Sequence, residues 1–471
     1  MPVKVGLVSL GCPKNLVDSE VMLGMLAKRQ YHLTRDESQA DLLIVNTCGF
    51  IDRAKEESVD TILEMARQKK KGRCKALIVT GCLVQRHAEE LKKEIPEIDA
   101  FLGSADYPKI LEVAERVLAE DRRKEALVDV HSPVYLYDEN TPRLLCTPSY
   151  TAYLKIAEGC DHACRFCIIP TLRGRMRSRS VESCVAEARN LAALGVKELN
   201  LISQDTSEYG RDLYGQPRLA QLLGELSRVE GLRWIRMHYL YPAFLTDELL
   251  EVWSGSEKLV KYVDIPLQHG DGAMLKAMAR PGTRESNLKL VERLRRALPG
   301  AAIRSSFIVG YPGETEERFE GLLGFLREAR LDRVGVFTYS REAGTPAAEM
   351  EGQVPDRTKQ RRRREAMALA SEISAQRLKE RLGREVDVLV EDKPGAGHDG
   401  MEHGEGDGGD RAPRARGRGR SCLGRTALDA PDIDGRIHFS PPAGGAPRPG
   451  DFVHVRVEDC DEHDLFGRQV A

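Results

Sequence analysis

Three cysteines share one short segment, EGCDHACRFCIIP (158–170), at C-x3-C-x2-C spacing: Cys160, Cys164 and Cys167. Thiolates are soft ligands for zinc, copper(I) and iron–sulfur clusters. Structural zinc sites take four ligands, commonly from paired C-x2-C units. This segment offers three, with no fourth cysteine nearby. Three thiolates on a 4Fe–4S cluster leave one iron without a protein ligand. An open iron binds small molecules, so such a site can do more than pass electrons. An incomplete zinc site is the alternative. Phe166, directly before Cys167, is placed to wall a pocket beside the segment.

A second set is dispersed. Cys12, Cys48 and Cys82 each adjoin a glycine, in Gly11-Cys12, Cys48-Gly49 and Gly81-Cys82. Glycine lets backbone approach a bulky group closely. Free cysteine is also a common buried residue, so a shared metal site and three structural cysteines both fit this pattern. The other five (Cys74, Cys146, Cys184, Cys422, Cys460) have no partner spacing. The total of 11 is odd and a poor disulfide framework, which points to a reducing, cytoplasmic setting.

The elements that must hold these cysteines follow from the apolar pattern. Strands are expected at 3–9, 41–47 and 76–81, each followed by a helix, at 14–27, 52–69 and 84–93. Strand–helix alternation with short connections predicts a parallel, doubly wound sheet. Cys12, Cys48 and Cys82 then all fall at its carboxyl edge, where such folds bind ligands. A polar, proline-bearing stretch at about 120–149 marks a boundary. Beyond it six strand–helix units begin at 151–158, 198–204, 235–240, 262–268, 303–310 and 333–340, the pattern of a partial (β/α) barrel. Cys160, Cys164 and Cys167 directly follow its first strand, and Gln204 ends its second; barrel sites sit at such strand ends. A charged helix at 356–382 carries Arg361, Arg362, Arg363 and Arg364, read as a solvated face. Alternating strands at 385–392 and 451–459 suggest a small terminal β-barrel. Between them a Gly-rich segment, acidic then arginine-rich, lacks the apolar content to pack and is expected to be disordered.

The chain has 471 residues, enough for about three domains. Lys plus Arg is 71 and Asp plus Glu is 73, a net charge of -2, which excludes a strongly basic nucleic-acid binder as a description of the whole chain. The opening MPVKVGLVSLGC is too short for a signal segment. No stretch reaches the roughly 20 apolar residues of a membrane span.

C-x3-C-x-aromatic-C after a first barrel strand resembles the radical SAM superfamily. The resemblance implies S-adenosylmethionine (SAM) chelated at the open iron and cleaved reductively. The resulting 5′-deoxyadenosyl radical takes a hydrogen from an unactivated carbon. It also implies that Gln204 contacts the amino group of SAM. LVSLGCPKNLVDSE, VNTCGFIDRAKEES and VTGC resemble the N-terminal domain of the methylthiotransferases within that superfamily. This implies a second 4Fe–4S cluster on Cys12, Cys48 and Cys82, and a C-terminal TRAM barrel. The similarity covers 3–393 and about 424–467. CIIPTLRGRMRSR, ISQDTSEYG, DIPLQH, FIVGYPGETEE and DAPDIDG resemble the branch called the RimO type. That branch places a methylthio group on the β-carbon of an aspartate in small-subunit ribosomal protein S-twelve. The MiaB type modifies an adenosine of tRNA instead and is the alternative, with a non-enzymatic iron–sulfur redox carrier as a third reading.

The implied organisation is 1–118 for the domain of the second cluster, 119–145 as a linker, 146–376 for the radical SAM core and 377–471 for the TRAM domain. The implied cofactors are two 4Fe–4S clusters and SAM, with no protein side chain as catalyst. The implied partners are S-twelve or the assembling small ribosomal subunit and a flavodoxin- or ferredoxin-type electron donor. The chain is expected to act as a monomer away from membranes. One departure is the long insertion at about 394–422, where the family has a short turn before GRTALDAPDIDG.

Overall fold

The computed structural model describes residues 2–119, 125–392, 421–442 and 444–470. The insertion expected to be disordered lies outside the described residues, except its stated end, where Cys422 opens a strand, Cys422–Thr426.

The N-terminal sheet has six parallel strands in the order His32–Leu33, Lys4–Ser9, Leu42–Thr47, Ala76–Gly81, Ala100–Leu102, Leu127–Asp129. Leu42–Thr47 and Ala76–Gly81 are buried along their whole length, which is why they read as continuous apolar runs rather than alternations. Successive side chains point to opposite faces. Leu42 and Ile44 meet Val17 and Val21 of helix Pro13–Lys28 and Val113 of helix Ile110–Ala119. Leu43 and Val45 meet Ile62 of helix Asp52–Lys71 and Leu83 of helix Cys82–Glu94. The sheet is therefore doubly wound. The segment expected as a linker, 119–145, contributes its sixth strand, Leu127–Asp129, which pairs with Ala100–Leu102.

The central sheet also has six parallel strands, in chain order across the sheet: Thr151–Lys155, Glu198–Ile202, Trp234–Met237, Leu259–Asp264, Ala302–Val309 and Arg333–Thr338. Among the described residues the first and last are not paired to each other, so the barrel is open. Helices cover it and form the largest apolar cluster, with Trp253, Phe319 and Phe325 fully buried.

The C-terminal strands Glu385–Asp392, Cys422–Thr426, Ile437–Ser440, Leu465–Gln469 and Phe452–Cys460 close into a barrel. Buried charges dock it on the core. Glu198 lies between Arg236, at 3.2 Å, and Arg425, at 2.6 Å. Arg333 pairs with Asp429 at 2.7 Å, and the Tyr262 hydroxyl donates to Asp434 at 2.6 Å.

Candidate functional site

The strand order of the N-terminal sheet reverses between Lys4–Ser9 and Leu42–Thr47. In open parallel sheets this opens a crevice at the carboxyl ends of the two strands. Cys12 follows the first of these strands and Cys48 the second; Cys82 starts the helix directly after Ala76–Gly81. The three loops touch, and their glycines make that approach possible. A Cβ on Gly11 would stand 2.7 Å from Cys48 Cβ and 3.0 Å from its Sγ, and one on Gly49 would stand 2.8 Å from the Cys82 carbonyl carbon. Gly11 and Gly81 have φ of +84° and +99°, which L side chains rarely adopt.

Polar clamps fix these loops. The Asn15 amide donates to the Leu10 and Thr47 carbonyls, each at 2.9 Å, and so ties the Cys12 loop to the Cys48 loop. Ser58 Oγ donates to the Cys48 carbonyl at 2.9 Å and accepts from its N–H at 3.1 Å. No disulfide joins any of the cysteines. Among the described residues neither cysteine set brings three sulfurs within 4.8 Å of one another, as one zinc ion with bonds of about 2.3 Å would require. Three thiols on three touching loops suit a larger, multi-iron group.

The second set occupies the loop after Ala157–Glu158. The Cys160 N–H donates to the Gly174 carbonyl and the Cys167 N–H to the Cys164 carbonyl, both at 3.1 Å. Gln204 braces the root of the loop: its Oε1 accepts from the Gly159 N–H at 2.8 Å and its Nε2 donates to Glu158 at 2.5 Å. Phe166 packs against the cluster of Met274, Met278, Tyr311 and Tyr339. His162 stacks on Tyr241 with centroids 3.8 Å apart and meets Asp205 at 2.6 Å. The Arg280 guanidinium lies 4.1 Å over the same Tyr241 ring and 3.6 Å from Cys164 Sγ. Burial pushes the Cys160 and Cys167 thiols up to about 12. Without a metal both stay protonated at neutral pH; a bound metal draws those protons off.

A buried charge network joins the two sets. Lys155 pairs with Asp18 at 2.5 Å and Glu158 at 2.7 Å. Arg173 pairs with the same two carboxylates at 2.6 and 3.2 Å, donates to Asn15 Oδ1, and places its Nε 3.2 Å from Cys82 Sγ. Burial by itself raises the Glu158 carboxyl, but Lys155 and Arg173 overcome this and hold it well below the usual range. Arg173 and Arg175, two residues apart, face opposite surroundings: Arg175 is 87% exposed, whereas Arg173 is 3% exposed. Asn15, Asp18, Lys155, Glu158, Tyr241 and Arg280 were not singled out by sequence reasoning. The one local signal was a lysine ending the otherwise uncharged strand TAYLK.

A small cleft of about 30 Å³, room for a water or two, opens beside Cys12, lined by Ser9, Leu16, Tyr153, Pro431, Asp432 and Ile433. All three domains contribute to its wall.

The fold and the cysteine-bearing loop define a radical SAM enzyme. A profile described as the Radical SAM superfamily matches residues 154–326, one described as the Uncharacterized protein family UPF0004 matches 4–103, and one for the TRAM domain matches 416–470. Among solved structures, the radical S-adenosylmethionine methyltransferase TsrM from Kitasatospora setae, with cobalamin and a 4Fe–4S cluster bound, shares the fold. Its TM-score is 0.55 at 17% identity, covering 74% of this chain and 77% of that one. The Ribosomal protein uS12 methylthiotransferase RimO of Symbiobacterium thermophilum is 51% identical, covering 99% of this chain and 91% of its own. The protein of the same name from Desulforamulus reducens is 49% identical over 98% of both chains. This chain belongs to the RimO family of methylthiotransferases.

Proposed function

We propose that this chain transfers a methylthio group to the β-carbon of an aspartate in ribosomal protein uS12 by radical C–H activation. The observation that carries the reading is the placement of two cysteine sets at the carboxyl ends of two parallel sheets, joined by one buried charge network. Relatives about half identical over nearly their whole length carry the uS12 methylthiotransferase name. Cys160, Cys164 and Cys167 would hold one 4Fe–4S cluster, and Cys12, Cys48 and Cys82 a second. When bound, the clusters would relay the donor's electron, SAM would supply the hydrogen-abstracting radical and the methyl group, and a separate sulfur donor the sulfur.

The chain's own residues supply position. Asn15 and Ser58 hold the three N-terminal loops together. Gln204 and Glu158 fix the root of the Cys160 loop, while Phe166 and Tyr311 wall its apolar side. The aspartate would approach at the small cleft beside Cys12, where residues of all three domains meet. The reading places the protein in the cytoplasm as a monomer, with a flavodoxin- or ferredoxin-type donor; no helix among the described residues is long and apolar enough to cross a membrane.

The test is anaerobic reconstitution followed by incubation with SAM, reductant, uS12 and tRNA. Expected are about eight irons per chain, 5′-deoxyadenosine, and a methylthio adduct on a uS12 aspartate by mass spectrometry. Zinc alone, a single cluster, or a modified tRNA adenosine beside unmodified uS12 would overturn it.

A further inference from the structure

Helix Ile169–Arg173 begins two residues after Cys167 and ends in an arginine whose side chain has four partners. Ile168 and Leu172, at its two ends, form an apolar cluster with Cys82. The helix is thus a wedge with one cysteine set at its start and a cysteine of the other set against its side. Arg173 completes the contact. Its guanidinium has three directions of donation, and each reaches a different functional segment. Nε points at Cys82 Sγ, 3.2 Å away. Nη1 bonds Asp18, on the helix that follows Cys12, and Glu158, two residues before Cys160. Nη2 bonds Asn15, the side chain that ties the Cys12 and Cys48 loops.

The guanidinium does more than close ion pairs. Asp18 and Glu158 carry two negative charges; Lys155 and Arg173 carry two positive ones. The four groups balance without Cys82, yet one N–H of Arg173 is directed at that sulfur. Water cannot screen the interaction, because Arg173, Lys155, Asp18 and Glu158 are all less than 5% exposed. Hydrogen bonds to ligating sulfurs and nearby positive charge favour the reduced, more negative cluster and so raise its reduction potential. A planar, always-charged fork can serve sulfur and carboxylates together, whereas a lysine offers one point charge.

We infer that Arg173 is a positioning residue that sets the reduction potential of the cluster on Cys12, Cys48 and Cys82 and holds that site in register with the Cys160 loop. This rests on the two-cluster reading above. The step concerned is a one-electron reduction of the cluster by an external reductant, with no bond made or broken.

The test isolates that cluster in the full-length chain. Cys160, Cys164 and Cys167 are replaced by alanine, the protein is reconstituted anaerobically, and the remaining cluster is titrated with dithionite and followed by electron paramagnetic resonance. Arg173→Gln is expected to retain about four irons and to shift the midpoint to more negative potential. Arg173→Lys, which keeps the charge but not the fork, is expected to fall between Gln and the parent. Arg175→Gln, at the exposed arginine two residues on, is expected to leave the midpoint unchanged. An unchanged midpoint in Arg173→Gln, or an equal shift in Arg175→Gln, would overturn the assignment. Should Arg173→Gln not fold, an unchanged midpoint in Arg173→Lys decides against it equally. A parent that binds no cluster would instead sink the two-cluster reading.

Discussion

Replacing Glu198 with glutamine should loosen the C-terminal barrel from the core by an amount the structure fixes in two ways. Glu198 is fully buried and accepts from Arg425 at 2.6 Å, Arg236 at 3.2 Å and Thr151 at 3.0 Å. Removing one partner of a buried ion pair typically costs about 3–5 kcal/mol, because the other charge is left uncompensated. The carboxyl itself gives a second figure. Burial alone would raise it, but Arg425 and then Arg236 outweigh burial and hold it at about 2, against 4.5 ordinarily. At about 1.4 kcal/mol per tenfold, that drop corresponds to roughly 3 kcal/mol of stability. The sign follows from a depressed carboxylate. The contribution is present in full above pH 4.5 and is lost as pH falls toward 2. Hydrogen–deuterium exchange reads the local opening free energy of the docked barrel. At pH 7, amides of strand Cys422–Thr426 in Glu198→Gln should exchange roughly a hundredfold faster than in the parent. The difference should shrink steadily below pH 4.5 and be nearly gone at pH 2. Rates within threefold of each other at neutral pH, or a difference that persists in acid, would refute the account.

Gly11→Ala places a Cβ 2.7 Å from Cys48 Cβ at a φ of +84°, so the iron content should fall from about eight to about four while SAM cleavage persists. Gln204→Ala frees the Gly159 N–H and removes a donor to Glu158; the loss of a charged hydrogen bond, about 1.5–3 kcal/mol, should slow 5′-deoxyadenosine formation by roughly ten- to a hundredfold with iron retained. Ile433→Trp fills the cleft beside Cys12; adduct formation on uS12 should drop while uncoupled SAM cleavage continues, as paired chromatographic and mass-spectrometric assays would report.

The cysteines were legible because their signals are local. Three lie within eight residues, and the other three each adjoin a glycine at the end of an apolar run. The long strands were legible for the same reason, since burial on both faces leaves a continuous apolar stretch. Strands such as His32–Leu33 were not, because two residues carry no period. The arginine run was read as a solvated face, yet Arg362 is buried and bonds Glu314 at 2.7 Å. Its partner lies 48 residues away, beyond any sequence pattern. Lys155 and Asp18 are 137 residues apart and belong to different sheets' layers. Pairing of that kind exists only once the two domains have docked.

That pairing also explains why the domain interface is charged at its centre. Apolar side chains would bind as strongly, since a buried ion pair seldom outweighs hydrophobic residues of equal volume. Apolar contact, however, tolerates sliding, whereas hydrogen-bonded charges must meet at fixed angles and distances. Lys155 and Arg173 grip the same two carboxylates from different directions, so a small slip would strand four charges out of water at once. Glu158 leads into the Cys160 loop and Asp18 follows the Cys12 loop, so the register enforced is that between the two cysteine sets. The four buried charges therefore fix the separation of the two cysteine sets.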